Sequence, residues 1–262
     1  MLGQDKIINK INSSTLDTFP RTLLLEGKKG SGRRTLLKEI SKKFNIEIID
    51  ISDNLTSETI EEIMCSVSPN IYFINTDSIT LKNENVILKF LEEPLKNSFI
   101  ILICEDVNHL IPTIRNRCQI WKLEEYNRDF LATFINNDLE GNIKNNILDF
   151  SETPGQVIEY QTLPIDEMSE YAIKIFTLIS SANIANILNI SNAIAYKNEK
   201  DKFDFNLFCK ILTKTGCNLF KENKLTYKAY ALTKDLNFSR TIFNIDKKHL
   251  FENYLVRLKE VI

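Results

Sequence analysis

Three of the chain's seven glycines fall within six residues, in Gly27-Lys28-Lys29-Gly30-Ser31-Gly32-Arg33-Arg34-Thr35, and this loop constrains the fold more than any other feature of the 262 residues. Ahead of it runs the short apolar stretch Arg21-Thr-Leu-Leu-Leu-Glu26; behind it Leu36, Leu37 and Ile40 recur at helical spacing. Strand, glycine loop and helix in that order are the setting of a phosphate-binding loop. Glycines let backbone N–H groups turn inward, and the helix N-terminus adds partial positive charge. The same residues also fit a tight strand-to-helix turn that binds nothing.

The side chains of the loop depart from what phosphate chemistry needs. In a working loop a lysine follows the last glycine and reaches the outer phosphates, and the next residue is a Ser or Thr whose hydroxyl binds Mg²⁺. Here Arg33 and Arg34 hold those two places. Arginine is bulkier and less mobile than lysine as a point charge. Arg34 also removes the oxygen ligand and sets a cation where the metal belongs. Thr35 supplies a hydroxyl one residue late, about 100° further round the helix. The spacing suits a nucleotide, but the chemistry does not.

Around the loop, short apolar runs alternate with amphipathic stretches up to Trp121, the pattern of an α/β sheet domain. Ile46-Glu-Ile-Ile-Asp-Ile51, Asn70-Ile-Tyr-Phe-Ile-Asn75 and Ser98-Phe-Ile-Ile-Leu-Ile-Cys104 read as further strands. The last two are almost unbroken in apolar character, as parallel strands covered on both faces are. Helices are expected from Ser57 to Cys65 and from Asn83 to Glu93. The strand at 70–75 ends in Asn75-Thr76-Asp77, where a nucleotide hydrolase needs adjacent carboxylates for metal and water. Asp77 stands alone there, and capping of the following turn with Ser78 and Thr80 is the stronger expectation over metal binding.

After Trp121 helical periodicity takes over. Residues 122–161 leave room for a small three-helix unit ending near Pro154-Gly155. Beyond Pro164, Tyr171 to Ile179, Phe203 to Leu212, Leu225 to Leu236 and Lys247 to Val261 each carry an apolar stripe opposite a polar one. The charged run Lys197-Asn-Glu-Lys-Asp-Lys202 reads as a connection between helices. The expected division is thus an α/β base at 1–121, a helical lid at 122–163 and an all-helical domain at 164–262.

Composition narrows the function classes. With 33 basic and 35 acidic residues, nothing favours bulk nucleic-acid binding, so any DNA contact is local. The five cysteines, Cys65, Cys104, Cys118, Cys209 and Cys217, show no CxxC spacing, and the histidines are His109 and His249 alone. A zinc site is therefore not expected, and no metal is assigned. An odd cysteine count in a chain read as lacking a signal peptide points to the reducing cytoplasm. No apolar run approaches a membrane span.

Two long motifs resemble one family, the AAA+ clamp-loader ATPases. Asp77-Ser-Ile-Thr80-Leu followed by Asn85-Val-Ile-Leu-Lys-Phe-Leu-Glu-Glu-Pro94 resembles their stretch from the second nucleotide-site strand into a helix ending Leu-Glu-Glu-Pro. Leu110-Ile-Pro-Thr-Ile-Arg-Asn-Arg-Cys-Gln119 resembles their arginine-finger segment Pro-Thr-Ile-Arg-Ser-Arg-Cys, with only Asn116 in place of serine. Gly3-Gln4 is similar to their N-terminal box, and Glu152-Thr-Pro-Gly155-Gln156 to the end of their lid, where active members carry a sensor Arg or Lys after the glycine. The resemblance covers roughly residues 1–160; the rest fits a collar domain by length and character.

The resemblance implies an AAA+ P-loop-type parallel sheet, a small lid and a C-terminal collar that serves oligomerisation. Joined to the altered loop at Gly27, Gly30, Gly32, Arg33, Arg34 and Thr35, it implies a delta-prime-like subunit without intrinsic ATPase and without a cofactor of its own. Arg117 is the implied finger, acting in trans. From spacing alone it reads as a surface residue in a salt bridge, and Arg115 is assigned a structural or surface role. The implied partners are the motor ATPase and delta-like subunits of a DNA polymerase III complex, with the sliding clamp and primer-template DNA reached through it. Such subunits often carry a four-cysteine zinc module between the glycine loop and the second strand; this chain has only Cys65 there. An active AAA+ ATPase with a divergent loop, and a small replication protein that binds DNA directly, remain the alternative readings.

Overall fold

The computed structural model describes residues 3–66, 68–92, 98–138, 146–195, 203–239 and 246–262. The chain divides into two compact units, Met1–Glu140 with Glu152–Val157, and Gly141–Ser151 with Ile158–Ile262. The stretch 122–163, expected as a separate lid, is thus shared between them.

The first unit is an α/β sandwich. In chain order it contains α1 (Asp5–Ser13), β1 (Thr22–Glu26), α2 (Arg33–Phe44), β2 (Glu47–Asp50), α3 (Ser57–Met64), β3 (Asn70–Asn75), α4 (Leu81–Glu92), β4 (Phe99–Cys104), α5 (Pro112–Arg115), β5 (Gln119–Lys122) and α6 (Arg128–Asp138). The helix α7 (Pro154–Tyr160) begins in this unit and ends in the other. Among the described residues five strands form one parallel sheet, in the order β2-β3-β4-β1-β5.

Period-two alternation along the strands separates two cores. Leu23, Leu25, Ile71, Phe73, Phe99, Ile101 and Ile103 face α1 and α2 through Ile7, Ile11, Leu36 and Ile40. Leu24, Tyr72, Ile74, Ile100 and Leu102 face the other way, onto Ile60 of α3, Ile87 and Phe90 of α4 and Ile114 of α5. Burial on both faces explains the near-continuous apolar reading of β3 and β4. Local chemistry sets the helix ends. Thr56 caps α3 by accepting the N–H of Thr59 at 3.1 Å, and Asn45 stops α2 in the left-handed region at φ 53°.

The four strands expected from sequence are present within a residue or so of their expected ends, and α3 and α4 lie where helices were expected; Glu93 and Pro94 of the first motif fall outside the described residues. β5 escaped the sequence reading because only Trp121 of its four residues is buried. An edge strand with one inward side chain leaves no alternation to detect.

The second unit is helical, with α8 (Ile165–Leu178), α9 (Ile184–Ala195), α10 (Phe205–Lys221), α11 (Tyr227–Ser239) and α12 (Lys247–Val261). α10 packs on α8 and α11, and α12 packs on α9 and α11. Its centre is aromatic: Phe251 meets Phe205 and Phe208 edge-on at 5.8 and 6.0 Å. The buried hydroxyls of Thr233 and Tyr254 satisfy one another at 3.0 Å. Asp204 and Asp246 cap α10 and α12 through the N–H groups of Leu207 and His249. The helix α9 had not been separated from its neighbours in sequence, and the charged run at 197–202 lies outside the described residues. No helix among those described is long and apolar enough to cross a membrane.

Candidate functional site

Strand order assembles the site. β3, β4 and β1 lie side by side, with Asn75 opposite Ile103 and Glu26 opposite Cys104. The chain leaves these strands at one edge of the sheet, so the glycine loop after β1, the turn Thr76–Ser78 after β3 and Glu105 after β4 converge. The carboxyl edge of a parallel sheet is where α/β proteins meet ligands.

Arg33 opens α2 with only 7% of its side chain exposed. Its Nη1 donates to Asp77 Oδ2 at 2.8 Å, and Nη2 lies 3.8 Å from Glu105. The other oxygen of Asp77 accepts the Glu105 N–H at 2.6 Å. The Glu105 carboxylate in turn accepts a backbone hydrogen bond from Lys29 in the loop. Burial raises the Glu105 carboxyl above the ordinary carboxylate range and the Asp77 charge adds to the rise, while Arg33 and Lys29 oppose it. Next to it the Cys104 thiol is pushed up to about 12, first by burial and then by Asp77 and Glu26, so it stays neutral.

Two expectations are corrected here. Asp77 does not cap the turn after β3: Asn75 does, accepting the Asp77 N–H at 3.3 Å, and this leaves the Asp77 carboxylate for Arg33. The cation facing that carboxylate is Arg33, not Arg34. Arg34, one position further round the helix, sets its guanidinium over the Phe73 ring, 5.4 Å from the centroid. Thr35 is exposed on α2.

The start of α7 roofs the loop. Gly155 donates its N–H to Gly30 O at 3.0 Å, and Thr153 Oγ1 donates to Lys29 O at 2.9 Å. A Cβ on Gly155 would stand 2.5 Å from Gly30 Cα, so this backbone-to-backbone approach is open only to glycine; Gly30 moreover has φ +81°. Lys28 is held by Glu152 at 2.7 Å, with Glu125 at 3.8 Å, and its ammonium pKa is raised chiefly by the Glu152 hydrogen bond.

Two side chains behind the loop tie it to the N-terminal segment. Buried Gln4 clasps the backbone of Glu124, donating to its carbonyl and accepting its N–H, both at 2.9 Å. Tyr126 donates to Ser31 O at 2.9 Å, and a side chain on Gly3 would strike its ring. Gly3-Gln4 was visible in sequence; Tyr126 was not, since nothing local marks an aromatic that reaches back 95 residues.

In this arrangement the charged side chains of the loop are paired within the chain. Both oxygens of Asp77 are engaged, Lys28 and Arg33 are spent on carboxylates, and Gly30 is covered by Gly155. Among the described residues no three His, Cys, Asp or Glu side chains gather to hold a metal.

The arginine segment lies elsewhere in the same unit. Pro112 starts α5, a single turn pinned by fully buried Ile114. The stretch continues as a turn, Arg117 N–H donating to Ile114 O at 3.1 Å. Positions 115 and 117 diverge, because two residues of such a turn rotate the chain by about 200°. Arg115 Nη1 donates to Asn108 Oδ1 at 3.3 Å. The Arg117 carbonyl accepts from Thr22 Oγ1 at 2.6 Å, while its guanidinium, 36% exposed, reaches Glu92 at 2.6 Å and Thr113 O at 3.0 Å.

Sheet order, glycine loop and helical remainder together make this an AAA+-like P-loop fold. Solved structures agree at the level of fold alone. A DNA polymerase III gamma subunit-related protein of Thermotoga maritima superposes with a TM-score of 0.50 at 16% identity, covering 99% of each chain. RuvB of Thermotoga maritima also gives 0.50 at 16% identity, covering 97% of this chain and 87% of that one. In sequence, a family model described as DNA polymerase III, delta subunit matches residues 70–127, from β3 past β5. The DNA polymerase III subunit gamma of Buchnera aphidicola (subsp. Schizaphis graminum) is 26% identical over 175 residues, covering 53% of this chain and 48% of that protein. The match thus spans about half of that relative's length. Both sequence matches are to subunits of DNA polymerase III, each over part of this chain.

Proposed function

We propose that this chain is a non-hydrolysing, delta-prime-like clamp-loader subunit. It joins a ring of AAA+ subunits in the cytoplasm, donates Arg117 to a neighbour's ATP site and supports loading of the sliding clamp on primed DNA. Its direct partners are motor ATPase and delta-like subunits, and clamp and primer-template DNA are met through the complex. In this reading residues 1–121 are the base, 122–163 the lid and 164–262 the collar.

The observation that carries the proposal is the Arg33–Asp77 ion pair at 2.8 Å. It sits where an active site needs a phosphate-binding lysine and a metal-bound carboxylate, and it neutralises both functions within the chain. Arg117 contrasts with it: a permanently charged, planar fork left partly open to solvent, suited to stabilising charge that builds on a γ-phosphate. Fingers of this kind supply about 10³ to 10⁵ in rate.

The test is DNA-stimulated ATP hydrolysis by the reconstituted complex carrying wild type, Arg117→Ala, Arg117→Lys or Arg33→Ala. Arg117→Ala is expected to lower the turnover contributed by the neighbouring site by about 10³ or more without impairing assembly. Arg117→Lys should recover part of it, keeping the charge but losing the fork. Arg33→Ala should leave turnover near wild type. Unchanged turnover in Arg117→Ala overturns the finger, and Mg²⁺-dependent hydrolysis by the isolated chain overturns the non-hydrolysing role.

A further inference from the structure

The Arg117 guanidinium bridges two rigid supports. Nη2 donates to Glu92 Oε1 at 2.6 Å, and Nη1 donates to Thr113 O at 3.0 Å. Glu92 is the last residue of α4, which is fixed to the sheet by buried Ile87, Phe90 and Leu91; Thr113 lies on α5, fixed by Ile114. A carboxylate at a helix C-terminus is unfavourable beside the negative end of the helix dipole, and a guanidinium next to it removes the conflict. The contacts engage two of five N–H donors and leave the others for an incoming anion. Both side chains remain open to solvent, at 36% and 53% exposure.

We propose that Glu92 is a positioning residue for Arg117, holding the guanidinium in its firing direction before a neighbour's phosphate arrives; this rests on the finger reading above. A free arginine at the surface samples many rotamers and loses that freedom when it engages an anion. The Glu92 tether moves the loss into the folded subunit, ahead of the reaction. An ion pair this exposed is weak, so it sets a direction without withholding the charge.

The reconstituted complex tests this with Glu92→Ala, Glu92→Gln, Arg117→Ala and the Glu92→Ala/Arg117→Ala double variant, measuring kcat and KM for ATP. Glu92→Ala is expected to lower kcat about two- to fivefold, the range spanned by an exposed pair, with KM unchanged. Glu92→Gln, which keeps an acceptor oxygen at the same reach, should recover part of the loss. The double variant should be no slower than Arg117→Ala alone, because Glu92 acts through Arg117. A wild-type or faster kcat in Glu92→Ala beside an impaired Arg117→Ala overturns the positioning role and leaves the finger standing; a faster one means that Glu92 restrains Arg117. Losses that add in the double variant also overturn it. A wild-type rate in Arg117→Ala overturns the finger reading itself, and the positioning role with it.

Discussion

Arg33 enters the first turn of α2 almost wholly buried, and a guanidinium in that position needs a carboxylate beside it because an unpaired buried charge is costly. Asp77 supplies one, and Glu105 completes the cluster from the neighbouring strand end. The Glu105 carboxyl has a raised pKa in the folded chain. Between the ordinary carboxylate value and the raised one, the native state therefore binds more protons than the unfolded state, and stability falls as pH rises through that window. Glu105→Gln is expected to raise the melting midpoint at neutral pH by about 1–3 °C, since screening of a half-exposed group keeps the effect to about 1 kcal/mol or less. At about pH 4 the gain should vanish, both forms then being neutral. Thermal unfolding at the two pH values decides it; a lower midpoint for the variant at neutral pH would mean that the Glu105 charge holds the cluster together. The two arginines after the last glycine were legible in sequence. That one would turn inward and the other would lie over Phe73 was not, because the choice depends on which acceptors the sheet brings within reach.

The contact between α7 and the glycine loop is made by two glycines that approach closer than any Cβ permits. Gly155→Ala must push the start of α7 away from Gly30 and loosen the Gly155 N–H to Gly30 O and Thr153 Oγ1 to Lys29 O hydrogen bonds. Overpacking of this kind costs about 1–3 kcal/mol, and the expected result is a lower denaturant midpoint with an unchanged slope. Stability equal to wild type would show that α7 is not held to the loop. Legibility differs in kind between elements. β3 and β4 could be read because both faces are buried. α10 and α12 could be read because one stripe is apolar and the other polar. β5 and α7 carry too few inward side chains to leave a periodic signal, and α7 is fixed by backbone contacts that no side-chain pattern encodes.

The chain passes from one unit to the other at 140/141, back at 151/152 and over again at 157/158. A cut at 163/164, the natural boundary from sequence, therefore strips the helical unit of part of its own core. Ile147 is fully buried and Phe150 nearly so. Lys210 donates to Phe150 O at 3.1 Å, Lys214 pairs with Asp149, and Asn146 donates to Asp166 at 3.3 Å. A fragment of residues 164–262 is expected to be less stable than one of residues 141–262 by about 3–6 kcal/mol, the burial of two large apolar side chains. Urea unfolding of the two fragments measures it, and equal midpoints would mean that residues 141–163 contribute nothing to the helical unit.

The amino-acid sequence by itself determined the strand–loop–helix start, the two buried central strands, the run of amphipathic helices and the replacement of lysine and hydroxyl by Arg33 and Arg34. Each of these is a local pattern of polarity or residue type, readable within a dozen residues. The strand order decided the rest. By setting β4 between β3 and β1 it brought Asp77, Glu105 and Arg33 together from positions 44 and 28 residues apart, and packing of α4 beside α5 placed Glu92 against Arg117 across 25 residues. Such pairings follow from burying both faces of a sheet at once, a condition satisfied by the whole domain and by no segment of it.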